Sequence, residues 1–257
     1  MDKMDLNKLA LKLDSAATHA LPIRQLSTDN AYNLEDAYEI QRLAIEPRKA
    51  RGFALIGLKM GFTSVAKMEQ MGVHDMIWGR LTADMDIPNH GSTSLAKYIH
   101  PRAEPEICFR VAKDIPGEIA LEDLDEYVDA IAPAIEIIDS RFEHFKFTLE
   151  DVVADNCSST GLIIGEWQEP SRNIGNLSMQ LIFDDKEVAA GSSNDILGDP
   201  WKSLQAATRL AAAYNEPIKA GHVIMAGAST AAVFLKPGIE VVAKVEGMED
   251  VAFSVTD

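Results

Sequence analysis

Three glutamates occupy positions where a carboxylate is costly unless something binds it. Glu104 and Glu106 flank Pro105, and Glu136 lies in the apolar run 133–138. Side chains two residues apart on a strand point to one face, so Glu104 and Glu106 would emerge together. A carboxylate in an apolar run needs a positive partner, and three converging carboxylates repel one another without a cation. The pattern predicts a divalent metal on the three glutamates, and oxygen ligands favour magnesium or manganese. The spacing alone leaves a second interpretation open, an exposed strand face with two carboxylates.

Lys59 is a second candidate for chemistry. It lies in the apolar stretch 56–62, between Gly57 and Gly61, where glycine permits close approach of another backbone. A lysine in such a strand needs a carboxylate or an anionic ligand as its partner, unless its ammonium group extends to solvent. We predict that Lys59 is catalytic.

Two runs of small hydrogen-bonding residues, 155–161 and 227–230, follow or precede predicted strands. Such runs bind carboxylates through backbone amides and hydroxyl groups, and they also form ordinary turns. We predict that Thr230, in the second run, contacts the substrate. His74 and Asp75 offer a pair for proton transfer, with a surface loop as the alternative. The chain contains no Gly-x-Ser-x-Gly motif, which argues against a serine hydrolase.

The elements that position these residues are predicted from periodicity and turn residues. Apolar residues at three- and four-residue steps predict helices, and short apolar or alternating runs between turn residues predict strands. The predicted helices cover residues 5–20, 34–46 with Asn33 as N-cap, a short stretch from Ser64 to Gly72, 121–130 and 201–214. The predicted strands cover residues 53–62, 104–112, 132–139, 161–167, 178–183, 186–190, 222–226, 240–246 and 251–255, with turns at 184–185 and 247–250.

Strands in regular succession with few helices predict an α+β fold and not a doubly wound sheet. Gly79, Pro88 and Gly91 indicate a looped crossing between two parts of the chain. We therefore predict an N-terminal helical or mixed region over residues 1–80 and a β-rich, metal-binding catalytic domain over residues 81–257.

Composition restricts the partners. The chain has 257 residues, 47% of them hydrophobic, which suffices for a sizeable core. Its net charge of -16 and the lack of a dense basic cluster argue against nucleic acid and anionic membranes as partners. No signal peptide and no membrane span are expected, so we predict a cytoplasmic protein. The two cysteines, Cys108 and Cys157, are predicted to be buried reduced thiols.

Six short motifs together resemble the hydratase/decarboxylase branch of the fumarylacetoacetate hydrolase superfamily. The resemblance spans nearly the whole chain, and the order of the motifs makes it specific although each motif alone is weak. The motifs are Gly57–Ser64, Met71–Val73, Pro101–Glu106, Pro133–Glu136, Val153–Asn156 and Gly221–Gly227.

The resemblance implies a rolled, mostly antiparallel β domain with a smaller helical N-terminal part. It implies that Glu104, Glu106 and Glu136 bind magnesium or manganese, that Lys59 lies at the active site and that Ser158 lies near the substrate. We also expect a homo-oligomer, and the resemblance implies association with a hydratase.

Two activities share this framework, and both act on 2-oxo acids from the meta-cleavage route of aromatic breakdown. One adds water to 2-hydroxypenta-2,4-dienoate, and the other removes carbon dioxide from 2-oxohex-3-enedioate (4-oxalocrotonate). The stretch 59–73 resembles the decarboxylases, and Ile77 stands where hydratases place an acid. We therefore expect decarboxylation of this dicarboxylate, with Ile77 and Trp78 as an apolar wall of the substrate site. A hydratase, a C–C hydrolase of the same superfamily and a non-catalytic partner of the hydratase are the alternatives.

Overall fold

The computed structural model of the protein describes residues 5–64, 68–69 and 74–257. Within these ranges it contains four α-helices and twelve strands. The helices are α1 (Leu6–His19), α2 (Leu34–Ala50), α3 (Leu149–Ala154) and α4 (Pro200–Ala213). The strands are β1 (Leu55–Gly61), β2 (Ile77–Thr82), β3 (Gly91–Ser94), β4 (Arg102–Val111), β5 (Val128–Ile138), β6 (Ser159–Ile164), β7 (Ser178–Phe183), β8 (Lys186–Ser192), β9 (Val223–Met225), β10 (Val233–Phe234), β11 (Glu240–Val245) and β12 (Val251–Thr256).

The described strands form two sheets. The larger sheet has the order β2-β1-β9-β4-β5-β6, with β10 paired to β4, and the smaller has the order β3-β12-β11-β7-β8. Most neighbours are antiparallel, and the pairs β1–β9 and β12–β3 are parallel. The α+β class and the mostly antiparallel arrangement are therefore confirmed.

The hydrophobic core between the sheets explains the apolar residues around Glu136. Ile135 and Ile137 are fully buried in one cluster with Leu181, Val241 and other residues of the smaller sheet. Because side chains alternate along a strand, Glu136 points to the opposite face of β5. The same alternation on β4 places Ala103 in the core between the sheets and Glu104 and Glu106 on the other face. One face of the larger sheet therefore packs, and the other carries the chemistry.

The helices cover the larger sheet, and each begins at a residue suited to that position. Asn33 caps α2 as predicted, with its side chain accepting a hydrogen bond from the Asp36 backbone N–H in a reciprocal capping box. Thr148 caps α3 in the same way through Asp151. Buried residues of α1, α2, α3 and α4 share one core cluster with Leu58 and Trp78. No helix among the described residues combines the length and apolar character that crossing a membrane requires.

Several predicted elements differ from the structure. Residues 121–130 were predicted as a helix, but a 3₁₀-helix ends at Tyr127 and β5 begins at Val128, where pairing with β4 overrides local propensity. The looped crossing near Gly79 is instead strand β2, and β3 begins at Gly91. Helix α2 continues through Pro47 to Ala50, four residues beyond the predicted end. The short helix α3 and strand β10 were not predicted, and the helix expected from Ser64 to Gly72 falls largely outside the described residues.

Candidate metal centre

The antiparallel pair β4–β5 brings the three predicted glutamates together. Glu104 lies directly opposite Glu136, and Glu106 follows on the same face of β4. One carboxylate oxygen from each residue lies within 4.8 Å of the other two. Glu106 and Glu136 are completely buried, whereas Glu104 is half-buried. The cluster therefore has two carboxylates in the interior and one nearer the surface.

Within the described residues, each buried carboxylate has a partner on one of its two oxygens only. One oxygen of Glu106 accepts a 2.7 Å hydrogen bond from the Gly227 backbone N–H. Oε1 of Glu106 and Oε1 of Glu136 have no hydrogen-bond partner among the described residues. Unsatisfied buried acceptors are rare in folded proteins because each costs free energy. A hard divalent cation binds such oxygens, so this set of donors fits magnesium or manganese.

The electrostatics of the cluster are consistent with a bound cation. Burial, followed by the charges of Glu136 and Glu104, raises the pKa of Glu106 well above its ordinary value. Burial also raises the pKa of Glu136, although Lys59 opposes that shift. Ionised carboxylates in this position therefore need positive charge beside them.

Lys59 supplies part of that charge. Its Nζ lies 2.9 Å from Oε2 of Glu136 and donates a 3.3 Å hydrogen bond to the backbone carbonyl of Cys157. The side chain is buried, with 4% of its surface exposed. Burial alone would lower the pKa of Lys59, but Glu136, Glu104 and Glu106 outweigh it, and the pKa lies above its ordinary value. The ammonium group is therefore charged and held beside the carboxylates.

A left-handed turn lies next to Lys59. Asn156, Cys157 and Ser158 have φ values of 52°, 52° and 59°, in the region that non-glycine residues rarely adopt. The Ser158 hydroxyl is buried and has no hydrogen-bond partner in the part of the chain that the structure describes. The turn thus places one carbonyl oxygen on Lys59 and leaves one hydroxyl available to a ligand.

Ile77 and Trp78 lie on opposite faces of β2. Lys59 pairs with Gly79 across β1 and β2, so strand alternation puts Ile77 on the same face as Lys59. Trp78 is fully buried on the other face, where its ring stacks on Tyr38 of α2 at a centroid distance of 5.2 Å. The expectation of an apolar wall therefore rests on Ile77 alone, and Trp78 belongs to the core beneath α2.

The other predicted residues, Thr230, His74 and Asp75, lie in loops. Thr230 is half-buried, three residues after Gly227, and its hydroxyl donates to the Ala231 carbonyl at 3.2 Å. His74 is exposed, and Asp75 forms a 2.7 Å ion pair with Arg209. That ion pair joins the exposed Asp75 carboxylate, in the loop before β2, to Arg209 of α4.

Sequence reasoning missed three contributors to the site. They are the Gly227 N–H, the Cys157 carbonyl and the side chain of Asn156, which bonds to the backbone of β2. Backbone donors and acceptors carry no sequence signal of their own. The polar run 155–161 was recognised, but nothing in it indicates three consecutive left-handed residues.

Comparisons with known proteins identify the family of the chain. A model of the family described as fumarylacetoacetate (FAA) hydrolase C-terminal matches residues 80–256. The chain belongs to the fumarylacetoacetate hydrolase family. A 4-oxalocrotonate decarboxylase from Pseudomonas sp. is 49% identical over 253 residues, which cover 98% of this chain and 99% of the relative. A 2-hydroxyhexa-2,4-dienoate hydratase from Comamonas testosteroni is 31% identical, with 100% and 99% covered.

Among solved structures, the 4-oxalocrotonate decarboxylase from Pseudomonas putida G7 complexed with magnesium and adipate matches with a TM-score of 0.93. It is 34% identical, and the match covers 97% of each chain. Within the family, the chain therefore falls in the hydratase/decarboxylase branch, as the motifs implied.

Proposed function

We propose that this protein is a metal-dependent carboxy-lyase that converts 2-oxohex-3-enedioate (4-oxalocrotonate) to 2-hydroxypenta-2,4-dienoate and carbon dioxide. The main support is the 49% identity to a 4-oxalocrotonate decarboxylase over nearly the full length of both chains. The cluster of three glutamates beside Lys59 is what this chemistry requires. The activity is expected to serve the meta-cleavage breakdown of aromatic compounds.

We propose magnesium or manganese as the cofactor, held by Glu104, Glu106 and Glu136. A relative at 34% identity was solved with magnesium and adipate, a six-carbon dicarboxylate like the proposed substrate. A divalent cation supplies Lewis-acid stabilisation of negative charge on the 2-oxo oxygen and the adjacent carboxylate.

The reaction breaks the bond between C5 and C6 of the substrate. The electron pair of that bond moves through the C3–C4 double bond to the ketone oxygen, carbon dioxide leaves, and protonation of the oxygen gives the dienol. Lys59 has three N–H donors, of which Glu136 and Cys157 engage two. We propose that the third donates to the oxygen on which charge develops, where a preorganised donor lowers the barrier.

Other residues of the chain orient the substrate. The Ser158 hydroxyl, buried beside the carbonyl that binds Lys59, is proposed to donate to the substrate. Thr230 is proposed to contact a substrate carboxylate, since its loop begins at Gly227, which binds Glu106. Ile77 is proposed to keep water from the leaving carboxylate, because desolvation favours its conversion to neutral carbon dioxide.

Assays with two substrates test the activity. The purified protein with magnesium should release carbon dioxide from 2-oxohex-3-enedioate and should not hydrate 2-hydroxypenta-2,4-dienoate. Water addition without carbon dioxide release would instead identify a hydratase, an activity that the 31% identical relative carries in its name. Absence of both activities, with intact metal binding, would support a non-catalytic partner.

Assembly, location and domain division are further proposals. We propose a homo-oligomer in the cytoplasm that associates with a hydratase of the same route, so that the unstable dienol passes onward directly. Light scattering of the purified protein and co-purification with the hydratase test these two contacts. The division near residue 80 stays a prediction, and Lys59 and β1 contribute to the same sheet as the glutamates.

A further inference from the structure

The side chain of Asn156 makes both of its amide hydrogen bonds to one residue of the neighbouring strand. Its Oδ1 accepts from the Arg80 backbone N–H at 2.7 Å, and its Nδ2 donates to the Arg80 carbonyl at 2.8 Å. The residue is 7% exposed, so water competes little with these bonds. We call this pair of hydrogen bonds the Asn156 clasp.

The clasp fixes a backbone conformation that is unfavourable by itself. Three consecutive left-handed residues, Asn156 to Ser158, cost on the order of 1 kcal/mol each, least at asparagine, which tolerates this region. Such strain persists only where surrounding contacts determine the conformation. Gly79 of β2 allows the contact, because a Cβ there would lie 2.5 Å from the Asn156 carbonyl oxygen.

The turn held by the Asn156 clasp contacts β2, the strand that pairs with β1 beside Lys59. Gly79 pairs with Lys59 across β1 and β2, and Arg80 is the next residue. The backbone carbonyl of Cys157, the next residue, accepts a hydrogen bond from Lys59 Nζ. The Cys157 thiol donates a hydrogen bond to the Trp78 carbonyl at 3.0 Å. The residue after that, Ser158, holds the buried hydroxyl without a partner. One side chain thus sets the position of two groups in the proposed active site.

We propose that Asn156 is a positioning residue that holds Lys59 and Ser158 in reactive geometry through the left-handed turn. This inference rests on the proposed decarboxylation and adds to it a residue that does not touch the substrate. Misplacement of a catalytic group by about 1 Å can reduce the rate about 100-fold. The three glutamates lie on β4 and β5, outside the turn.

Asn156→Gly tests the clasp, since glycine keeps the left-handed backbone accessible and removes both hydrogen bonds. We expect kcat for 2-oxohex-3-enedioate to fall about 100-fold, with a smaller rise in KM from the displaced Ser158 hydroxyl. Affinity for magnesium alone, measured by calorimetry, should stay close to that of the unsubstituted protein. Asn215→Gly is the matched control, because Asn215 is also left-handed (φ 55°) but exposed beyond α4, and it should leave both constants unchanged.

Alkylation of Cys157 provides a readout that is independent of turnover. The thiol is 4% exposed and bound to β2, so iodoacetamide should not modify it in the native protein. In Asn156→Gly the released turn should expose it, and mass spectrometry should find Cys157 alkylated while Cys108 stays protected. If the glycine variant does not fold, Asn156→Asp replaces it, since aspartate lacks the donor to the Arg80 carbonyl, and the same results are expected.

Three results would overturn the inference. The first is an unchanged kcat in the substituted protein. The second is a rise in KM without a fall in kcat, and the third is a fall in kcat while Cys157 stays protected from alkylation. Failure of the proposed function is distinguishable, because the unsubstituted protein would then show no turnover of the dicarboxylate.

Discussion

Lys59 is the residue whose neighbours define its role most closely. Its ammonium group is buried between a carboxylate and a backbone carbonyl, so its position is fixed before any substrate binds. A charged donor held in place at low dielectric stabilises a developing oxyanion without reorganisation. The same charge offsets the repulsion among the glutamates, so the side chain serves both the fold and the proposed reaction.

Lys59→Met should therefore reduce kcat by about 100-fold or more, the effect of losing one oxyanion donor. Methionine keeps an unbranched side chain that is one atom shorter and removes the charge. Steady-state kinetics with saturating magnesium measures the effect, and circular dichroism confirms folding. Lys244→Met is the control, because Lys244, on β11, forms an exposed ion pair with Asp250 in the following turn. Near-normal turnover in Lys59→Met would remove Lys59 from the mechanism.

Ile77 determines, in this proposal, whether the leaving carboxylate is solvated. Ile77→Asp introduces a hydrated carboxylate beside the leaving carboxylate of the substrate, on the face of the sheet from which Lys59 also projects. We expect decarboxylation to slow at least about tenfold, since about 1.4 kcal/mol of lost transition-state stabilisation has that effect. Ile77→Val retains the apolar character and should retain most of the activity. Equal rates for the Asp and Val variants would show that the wall has no role.

At the scale of elements, the strands that carry the glutamates were accessible from the sequence, because Glu-Pro-Glu and the apolar run around Glu136 lie between turn residues. The pattern indicated that Glu104 and Glu106 share one face, and the family resemblance was needed to separate a metal site from an exposed strand face. The secondary structure at Gly79 and at residues 121–130 could not be predicted from the sequence. Gly79 lies in a strand because it pairs with Lys59 of β1, and a glycine is needed there because the carbonyl of Asn156, more than 70 residues away, would contact a Cβ. Long-range packing of this kind leaves no local pattern.

The loop after β9 is a second element that the site requires in one conformation. Gly227 has φ 103° and donates to Glu106, and a Cβ there would lie 2.3 Å from the Thr63 hydroxyl oxygen. Gly227→Ala should destabilise the protein by more than the roughly 1–2 kcal/mol of a left-handed alanine and should also weaken metal binding. Gly238→Ala is the matched control, because Gly238 has φ 80° with open space around it.

Urea unfolding and calorimetric metal titration measure these two effects. We expect the control to show only the backbone cost, with unchanged metal affinity. If both variants lose the same stability and bind metal equally well, the loop does not support the cluster.

At the scale of the whole molecule, the proposed metal centre joins parts of the chain that are distant in sequence. Glu104 and Glu106 lie on β4, Glu136 on β5 and Lys59 on β1, all within one sheet whose other face packs on the second sheet. A cation bound to the three carboxylates binds the native state and not the unfolded chain, where these residues are apart. The free energy of that binding is therefore added to the stability of the whole domain.

Magnesium or manganese should thus raise the melting temperature of chelator-treated protein, in proportion to the logarithm of its concentration. At about 100 times the dissociation constant the gain is about 2.7 kcal/mol. Sodium at the same ionic strength is the control for screening in a chain with a net charge of -16. Glu136→Gln should lose the metal-specific part and keep the screening part, because only the former depends on all three carboxylates. A rise that sodium reproduces fully would mean that general charge repulsion, and not a bound cation, governs the stability of this cluster.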